Sequence, residues 1–208
     1  MKIAVINEVS AMARNPDILA ALDGKGHEVT NLGMDPKKQQ GELTYIHTGL
    51  MAAIVLNGGA CDMVVGGCGT GLGFMLSSMQ YPSVFTGLIE TPLDAWLFSQ
   101  INGGNCISLA LNKGYGWAAD INLKHIFEKL FQDPMGQGYP PQRQESQRQS
   151  REALARISLA SHKSITEAAS ALPKPYLREV LDFPGFAGYM EKTPSAKILF
   201  KKLSEILP

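Results

Sequence analysis

The stretch Gly66-Gly67-Cys68-Gly69-Thr70-Gly71-Leu72-Gly73 sets one thiol and one hydroxyl among five glycines. Glycines let a backbone approach a ligand closely and aim several N–H groups into one space. A helix beginning near Leu72 adds partial positive charge at its N-terminus, which favours an anion or a developing oxyanion. In that setting the Cys68 sulfur is expected to remove a proton or attack an electrophile. Thr70 supplies a hydroxyl two residues on. The bland alternative, a cysteine filling space in a turn, is disfavoured by this glycine context. The spacing matches neither GxGxxG nor GxxxxGK[ST], so a dinucleotide or a nucleoside triphosphate is a poor fit.

Other residues with chemical potential are scattered. Glu8 and Glu90 each follow an apolar run, where a carboxylate is placed for acid–base work. Cys61 and Cys106 lie in or beside apolar runs and are expected in the core. His27, His47, His125 and His162 form no HExxH or HxH pattern, so no zinc site is expected, and His47 reads as a helix-surface residue. Trp96, Trp117, Met75 and Met79 read as core. Three cysteines without CxxC do not make a disulfide framework or a metal site. Nineteen basic and nineteen acidic residues give zero net charge, which argues against nucleic acid or an anionic membrane as partner. With no signal-peptide pattern and no long apolar run, a soluble cytoplasmic protein is expected.

The elements that must position these residues follow from periodicity. Strands are expected at 2–7, 27–32, 62–66, 83–88 and 105–109. Helices are expected at 17–22, 43–56, from about 72, at 91–100 and at 115–131. Alternation of this kind predicts an α/β fold, a three-layer αβα sandwich around a five-stranded parallel, Rossmann-like sheet. Sites in such sheets form at the carboxyl ends of strands. That directs attention to Asn7-Glu8, the loop from Gly67 to Gly73, Glu90, and the residues after strand five. Residues 1–133 are expected to form this α/β domain and 134–150 a linker. Residues 151–208 are expected as a helical extension, with helices at 151–172, 176–181 and 195–207. About sixty residues of short helices make a poor independent core, so the extension is expected to pack on the sheet domain or on a neighbouring subunit.

At Gly67-Cys68-Gly69-Thr70-Gly71 the sequence resembles the ribose-5-phosphate isomerase B and galactose-6-phosphate isomerase family, which carries a Cys-Gly-Thr-Gly loop after the third of five parallel strands. Leu43-Thr44-Tyr45 and Asn102-Gly103-Gly104-Asn105 extend the resemblance, which covers roughly residues 1–145. It implies that Cys68 is the base moving a proton between adjacent carbons of an open-chain sugar, with Thr70 and the loop N–H groups of Gly67, Gly69, Gly71 and Gly73 holding the substrate or its enediolate oxygen. It also implies substrate contacts from Tyr45, Asn102 and Asn105, a homodimer or homotetramer with sites at subunit interfaces, and no cofactor or metal.

Departures from the family pattern bear on the substrate. Asn7-Glu8 stands where the family has Asp-His, making Asn7 a substrate-binding candidate and Glu8 a catalytic one. Glu90 stands in place of a histidine, and Asn112 or Lys113 in place of an arginine. These changes resemble a longer subgroup acting on unsaturated uronates, whose single carboxylate fits the loss of cationic ligands. Arg143 is the candidate to pair with that carboxylate, because its fork matches two oxygens. The expected function is therefore a metal-independent isomerase of an open-chain sugar acid of the 4-deoxy-5-keto-uronate type, working through an enediolate with Glu8 or Glu90 shuttling the hydroxyl proton. The alternatives are a ribose 5-phosphate or galactose 6-phosphate isomerase, and a non-catalytic sugar-binding or scaffold protein.

Overall fold

The computed structural model describes residues 1–38 and 41–208. Strands β1 (Lys2–Asn7), β2 (Glu28–Asn31), β3 (Met63–Cys68), β4 (Thr86–Ile89) and β5 (Cys106–Ala110) form one parallel sheet in the order β2-β1-β3-β5-β4. The chain passes from β1 to β2 on one side and returns to β3 on the other. The carboxyl ends of β1 and β3, paired through Asn7 and Gly67, therefore flank the point where the connections diverge. A crevice at such a point is where ligands of open α/β sheets bind.

Side chains alternate between two apolar layers with the period of a strand. Ile3, Val5, Met63, Val65, Ile107 and Leu109 pack with α1 (Asn15–Leu22), α4 (Pro92–Leu97) and α5 (Ala119–Leu130). Ala4, Ile6, Val64, Cys68 and Cys106 face the layer of α2 (Tyr45–Asn57) and α3 (Leu72–Ser78). Helix α2 is almost wholly buried from His47 to Val55, because the carboxyl-terminal helices cover its outer side. Those helices are α6 (Gln144–Ser161), α7 (Ile165–Ala171), α8 (Lys174–Leu181), α9 (Phe186–Met190) and α10 (Pro194–Ser204). Leu177, Val180, Phe183, Phe186, Met190, Ala196 and Leu203 share one apolar cluster with Leu50, Met51 and Ile54 of α2.

Several boundaries differ from the periodicity reading. The helix expected at 151–172 is two helices, broken at His162 (φ −106°, ψ 149°) and restarted by a capping box between Ser164 and Glu167. Helix α6 also begins at Gln144, inside the stretch read as linker, where Arg148 pairs with Glu145 and Glu152 one turn away on either side. The fifth helix starts at Ala119 rather than 115, after Ala118 takes a left-handed φ of 62°. The helix expected at 91–100 ends at Leu97 and continues as a π-helical turn, Phe98–Asn102, closed by Gly103. Trp117, read as core, is 100% exposed, and Met79 is also exposed. Among the described residues, no helix is long and apolar enough to cross a membrane.

A core shared by sheet and carboxyl-terminal helices is expected to unfold as a unit. Phe186→Ala removes a fully buried ring and is expected to cost about 3–5 kcal/mol, shifting one cooperative urea transition. Two separated transitions, with only the weaker one moved, would contradict a shared core.

Candidate active site

The loop leaving β3 is shaped by two close approaches. Phe74 of α3 lies against the bare Cα of Gly66, where a Cβ would fall 2.1 Å from the ring. Gly71 has φ +76°, and a Cβ there would meet Leu88 Cδ1 at 2.5 Å. Only glycine suits both positions, and the turn from strand to helix is correspondingly tight. The chain emerging from β5 seals its rear: Leu111 N–H donates to the Cys68 carbonyl at 3.0 Å, and the Asn112 and Lys113 N–H groups donate to the Gly69 carbonyl at 2.9 and 2.8 Å.

Within this loop Cys68 is 5% exposed, and its Sγ lies 3.9 Å from the Oγ1 of exposed Thr70. Burial pushes the other two thiols, Cys61 and Cys106, up to about 12, where they stay protonated at neutral pH. The loop N–H groups are less free than expected. Gly69 N–H donates to Ser10 Oγ at 3.0 Å, Gly71 N–H to the Cys68 carbonyl at 3.3 Å, and Leu72 N–H to Thr70 Oγ1 at 3.3 Å. Gly67 is a buried strand residue paired with Asn7 and Leu109, so it contributes through backbone packing rather than by facing a ligand. Gly73 meets the ring of half-exposed Tyr45, to whose Cγ a Cβ would come within 3.0 Å.

The exit of β1 forms the facing wall. Asn7, read as a substrate ligand, is instead fully buried with its amide occupied. Its Nδ2 donates to the carbonyls of Ala11 and Met34 at 3.3 and 3.0 Å, and its Oδ1 accepts from Asn15 Nδ2 at 2.7 Å. Glu8 follows with 5% exposure, its N–H bonded to the Gly67 carbonyl at 3.2 Å and its carboxylate accepting the hydroxyl proton of Ser10. Ser10 is exposed, and Asn112 Nδ2 holds its carbonyl at 2.7 Å. One turn on, the Arg14 guanidinium lies 4.4 Å from the centre of the Tyr115 ring. Burial, together with a 2.7 Å bond to Asp17, pushes the Tyr115 phenol upward.

Beyond β4, Glu90 is exposed and its Oε1 lies 2.6 Å from Lys113 Nζ. The pair sits at a pocket of about 360 Å³ reaching Trp117 and Asn122, on the same carboxyl edge as the Cys68 loop. The remaining candidates are on the other edge. Asn102 ends the π-helical turn ahead of β5 and lines a pocket of about 480 Å³ with Met79, Thr86, Arg151 and Leu154. Asn105, at the amino end of β5, spends its amide on Phe85 N–H and the Ser83 carbonyl at 2.9 and 2.8 Å; it is a brace for the entry to β4. Arg143 ends the 3₁₀ turn Pro141–Arg143 and is exposed. A single chain thus gathers Cys68, Thr70, Glu8 and Glu90 along one edge and leaves Asn102, Asn105 and Arg143 away from it.

Sequence reasoning missed Ser10 and Arg14, whose relevance depends on which strands are neighbours, and it named Asn112 only in place of an arginine, not as the residue that holds the Ser10 carbonyl. It also missed Arg151, whose guanidinium clamps the Ile101 and Gly136 carbonyls at 2.9 and 2.6 Å. His47 is 4% exposed rather than on the surface: its Nδ1 takes the Thr44 N–H at 3.0 Å, and its Nε2 makes a close, poorly aligned 2.6 Å contact with Glu179 of α8. Thr44 followed three residues later by a side chain able to accept was the available signal. Among the described residues, no cluster of three or more His, Cys, Asp or Glu side chains is grouped as a metal ion needs.

Comparison with known proteins agrees with this architecture. Residues 3–139 match the model of the ribose/galactose isomerase family. A solved structure of a 4-deoxy-L-threo-5-hexosulose-uronate ketol-isomerase, in complex with a tartrate, is 38% identical with a TM-score of 0.93, covering 99% of either chain. A ribose-5-phosphate isomerase structure from Vibrio parahaemolyticus gives the same identity and TM-score over 100% of this chain and 99% of that one. A 4-deoxy-4-sulfo-D-erythrose isomerase from Clostridium sp. (strain MSTE9) is 25% identical over 118 residues, 56% of this chain and 69% of the relative.

The occupied amide of Asn7 makes it a structural residue. Asn7→Ala leaves Asn15 Nδ2 and the carbonyls of Ala11 and Met34 to find other partners, an expected loss of about 2–4 kcal/mol in urea unfolding. An unchanged midpoint would refute that role.

Proposed function

The chain belongs to the ribose/galactose isomerase family, and from that premise we propose that it isomerises an open-chain sugar acid of the 4-deoxy-5-keto-uronate type, with Cys68 as the base. The observation that carries this reading is the Cys68–Thr70 loop at the β1/β3 crevice, within a chain that is similar along 99% of its length to a uronate ketol-isomerase. Cys68 thiolate takes the proton alpha to the carbonyl, and the electron pair passes to the carbonyl oxygen to give an enediolate. The Thr70 hydroxyl is the donor placed to hold that oxygen. A carboxylate then moves the hydroxyl proton from one oxygen to the other, and Cys68 returns its proton to the neighbouring carbon.

The charge pattern supports a singly charged substrate. Lys113 is matched by Glu90, and Arg14, stacked on Tyr115, is a cation available on this wall. A phosphate dianion would call for more. The second reading, a pentose-phosphate isomerase, is favoured by the equal likeness to the Vibrio parahaemolyticus structure. In that case Asn102, Arg143 and Arg151 from another subunit supply the missing contacts.

A homo-oligomer is part of the same proposal. Helix α3, which begins directly after the loop, exposes Leu72, Leu76 and Met79 in one stripe, and α6 exposes Leu154 and Ile157. Apolar rows of this kind fit burial against a second copy. Leu76→Glu is expected to convert a dimer or tetramer to monomer in sedimentation velocity; a wild type that is already monomeric would overturn the idea.

The activity is tested by proton NMR in heavy water, offering 4-deoxy-5-keto-uronate, ribose 5-phosphate and galactose 6-phosphate separately. Deuterium uptake with isomer formation is expected on the uronate and is expected to fall about 10²–10⁴-fold in Cys68→Ala. Turnover of a sugar phosphate alone would establish the second reading. Binding without exchange on any of the three would favour a non-catalytic sugar-binding protein.

A further inference from the structure

Glu8 lies beside the Cys68 loop, its N–H bonded to the Gly67 carbonyl, yet at 5% exposure its carboxylate is nearly shut off from a bound ligand. What lies between is Ser10. Its hydroxyl donates to Glu8 Oε1, while its oxygen accepts the N–H of Gly69, the residue that follows Cys68, at 3.0 Å. Asn112 Nδ2 fixes the Ser10 carbonyl at 2.7 Å, and Asn112 is itself bound to the loop through Gly69. A serine oxygen has two acceptor positions and one proton. Gly69 takes one acceptor position, Glu8 takes the proton, and one acceptor position remains on an exposed residue bonded to the Cys68 loop.

We propose that Ser10 is a catalytic residue of the isomerisation: its hydroxyl meets the substrate oxygen and relays the proton between that oxygen and the buried Glu8 carboxylate. This deepens the isomerase reading and rests on it. In the forward direction the substrate O–H bond breaks as a Ser10 O–H bond forms, and the former Ser10 proton passes to Glu8. In the second half of the same turnover Glu8 returns a proton to Ser10 as Ser10 protonates the other enediolate oxygen. Serine and glutamate end as they began, and no oxidant or further reactant is consumed. The same contact explains a restriction on the loop, since a Cβ at Gly69 would come 3.1 Å from Ser10 Oγ.

The relay has a signature that a merely supporting serine lacks. Removing the α-proton requires Cys68, whereas moving the carbonyl requires the hydroxyl proton to change oxygens. Without the relay, the enediolate collapses back to starting material carrying solvent deuterium. On the sugar that the wild type turns over in heavy water, Ser10→Ala is expected to slow isomer formation about 10²-fold while deuterium still enters the recovered substrate. Ser10→Thr, which keeps a hydroxyl, is expected to restore isomer formation. Glu8→Gln is expected to behave like Ser10→Ala and carries the test without touching the Gly69 contact. The double variant is expected to be no worse than either single one, as for groups acting in series. Unchanged isomer formation in Ser10→Ala, or exchange and isomer formation falling in step in both single variants, would overturn the relay and leave the isomerase reading standing. A wild type inert toward all three sugars, or activity surviving Cys68→Ala, would defeat that reading and the relay with it.

Discussion

Phe74 can lie on β3 only because Gly66 presents no side chain, and much of the site geometry depends on that contact. A ring so close to the strand draws the first turn of α3 down onto the sheet and leaves only Gly69, Thr70 and Gly71 to join strand to helix. A link that short cannot wander. It holds Cys68 at the end of β3 and offers the Gly69 N–H to the chain emerging from the neighbouring β1. Close-packed interiors transmit such constraints because no void absorbs a misfit. The thiol is positioned by sheet packing, Thr70 is its polar neighbour, and two other chain segments, 8–10 and 110–113, fasten the loop backbone.

This division explains what could be read from residues alone. The Cys68–Thr70 loop was legible because its glycines and reactive side chains are contiguous, and the strands were legible because buried parallel strands are apolar runs. Asn7 and Asn105 looked like Glu8 and Asn102, polar residues flanking strands. Their amides are nevertheless consumed by loop carbonyls and N–H groups brought near by topology. Ser10 carries no local mark at all, since its partner Gly69 is 59 residues away and adjacent only because β1 and β3 pair. The start of α6 was hidden for another reason. Its first turns are polar on all sides and are held by exposed charge pairs, and periodicity does not register such a helix.

The two edges of the sheet differ in how their charges are used. On the carboxyl edge Glu90 and Lys113 neutralise one another, while Arg14 rests on an aromatic face. On the amino edge Arg151 is anchored by two backbone carbonyls, which orient its guanidinium without neutralising it. The relatives are named for a uronate, a pentose phosphate and a sulfonated sugar, three anionic molecules that differ in charge and shape. The Cys68 loop thus lies on the carboxyl edge of the sheet, and Arg151 on the amino edge.

The carboxyl-terminal helices enter this arrangement through α2. Tyr45 and His47 lie on the first turn of that helix, Tyr45 against Gly73 of the loop region and His47 against Tyr176 and Glu179 of α8. Behind them, Leu177, Val180 and Phe186 close the apolar face that α2 would otherwise expose. The segment 165–204 therefore bears on the site without contributing a group to the Cys68 wall. By clamping α2 it fixes the ring that packs beside Gly73, and so limits how far the loop can open on that side. The opposite side has a polar fastening, the Gly69–Ser10–Glu8 chain. An apolar brace on one flank and a hydrogen-bond chain on the other give the loop a fixed position.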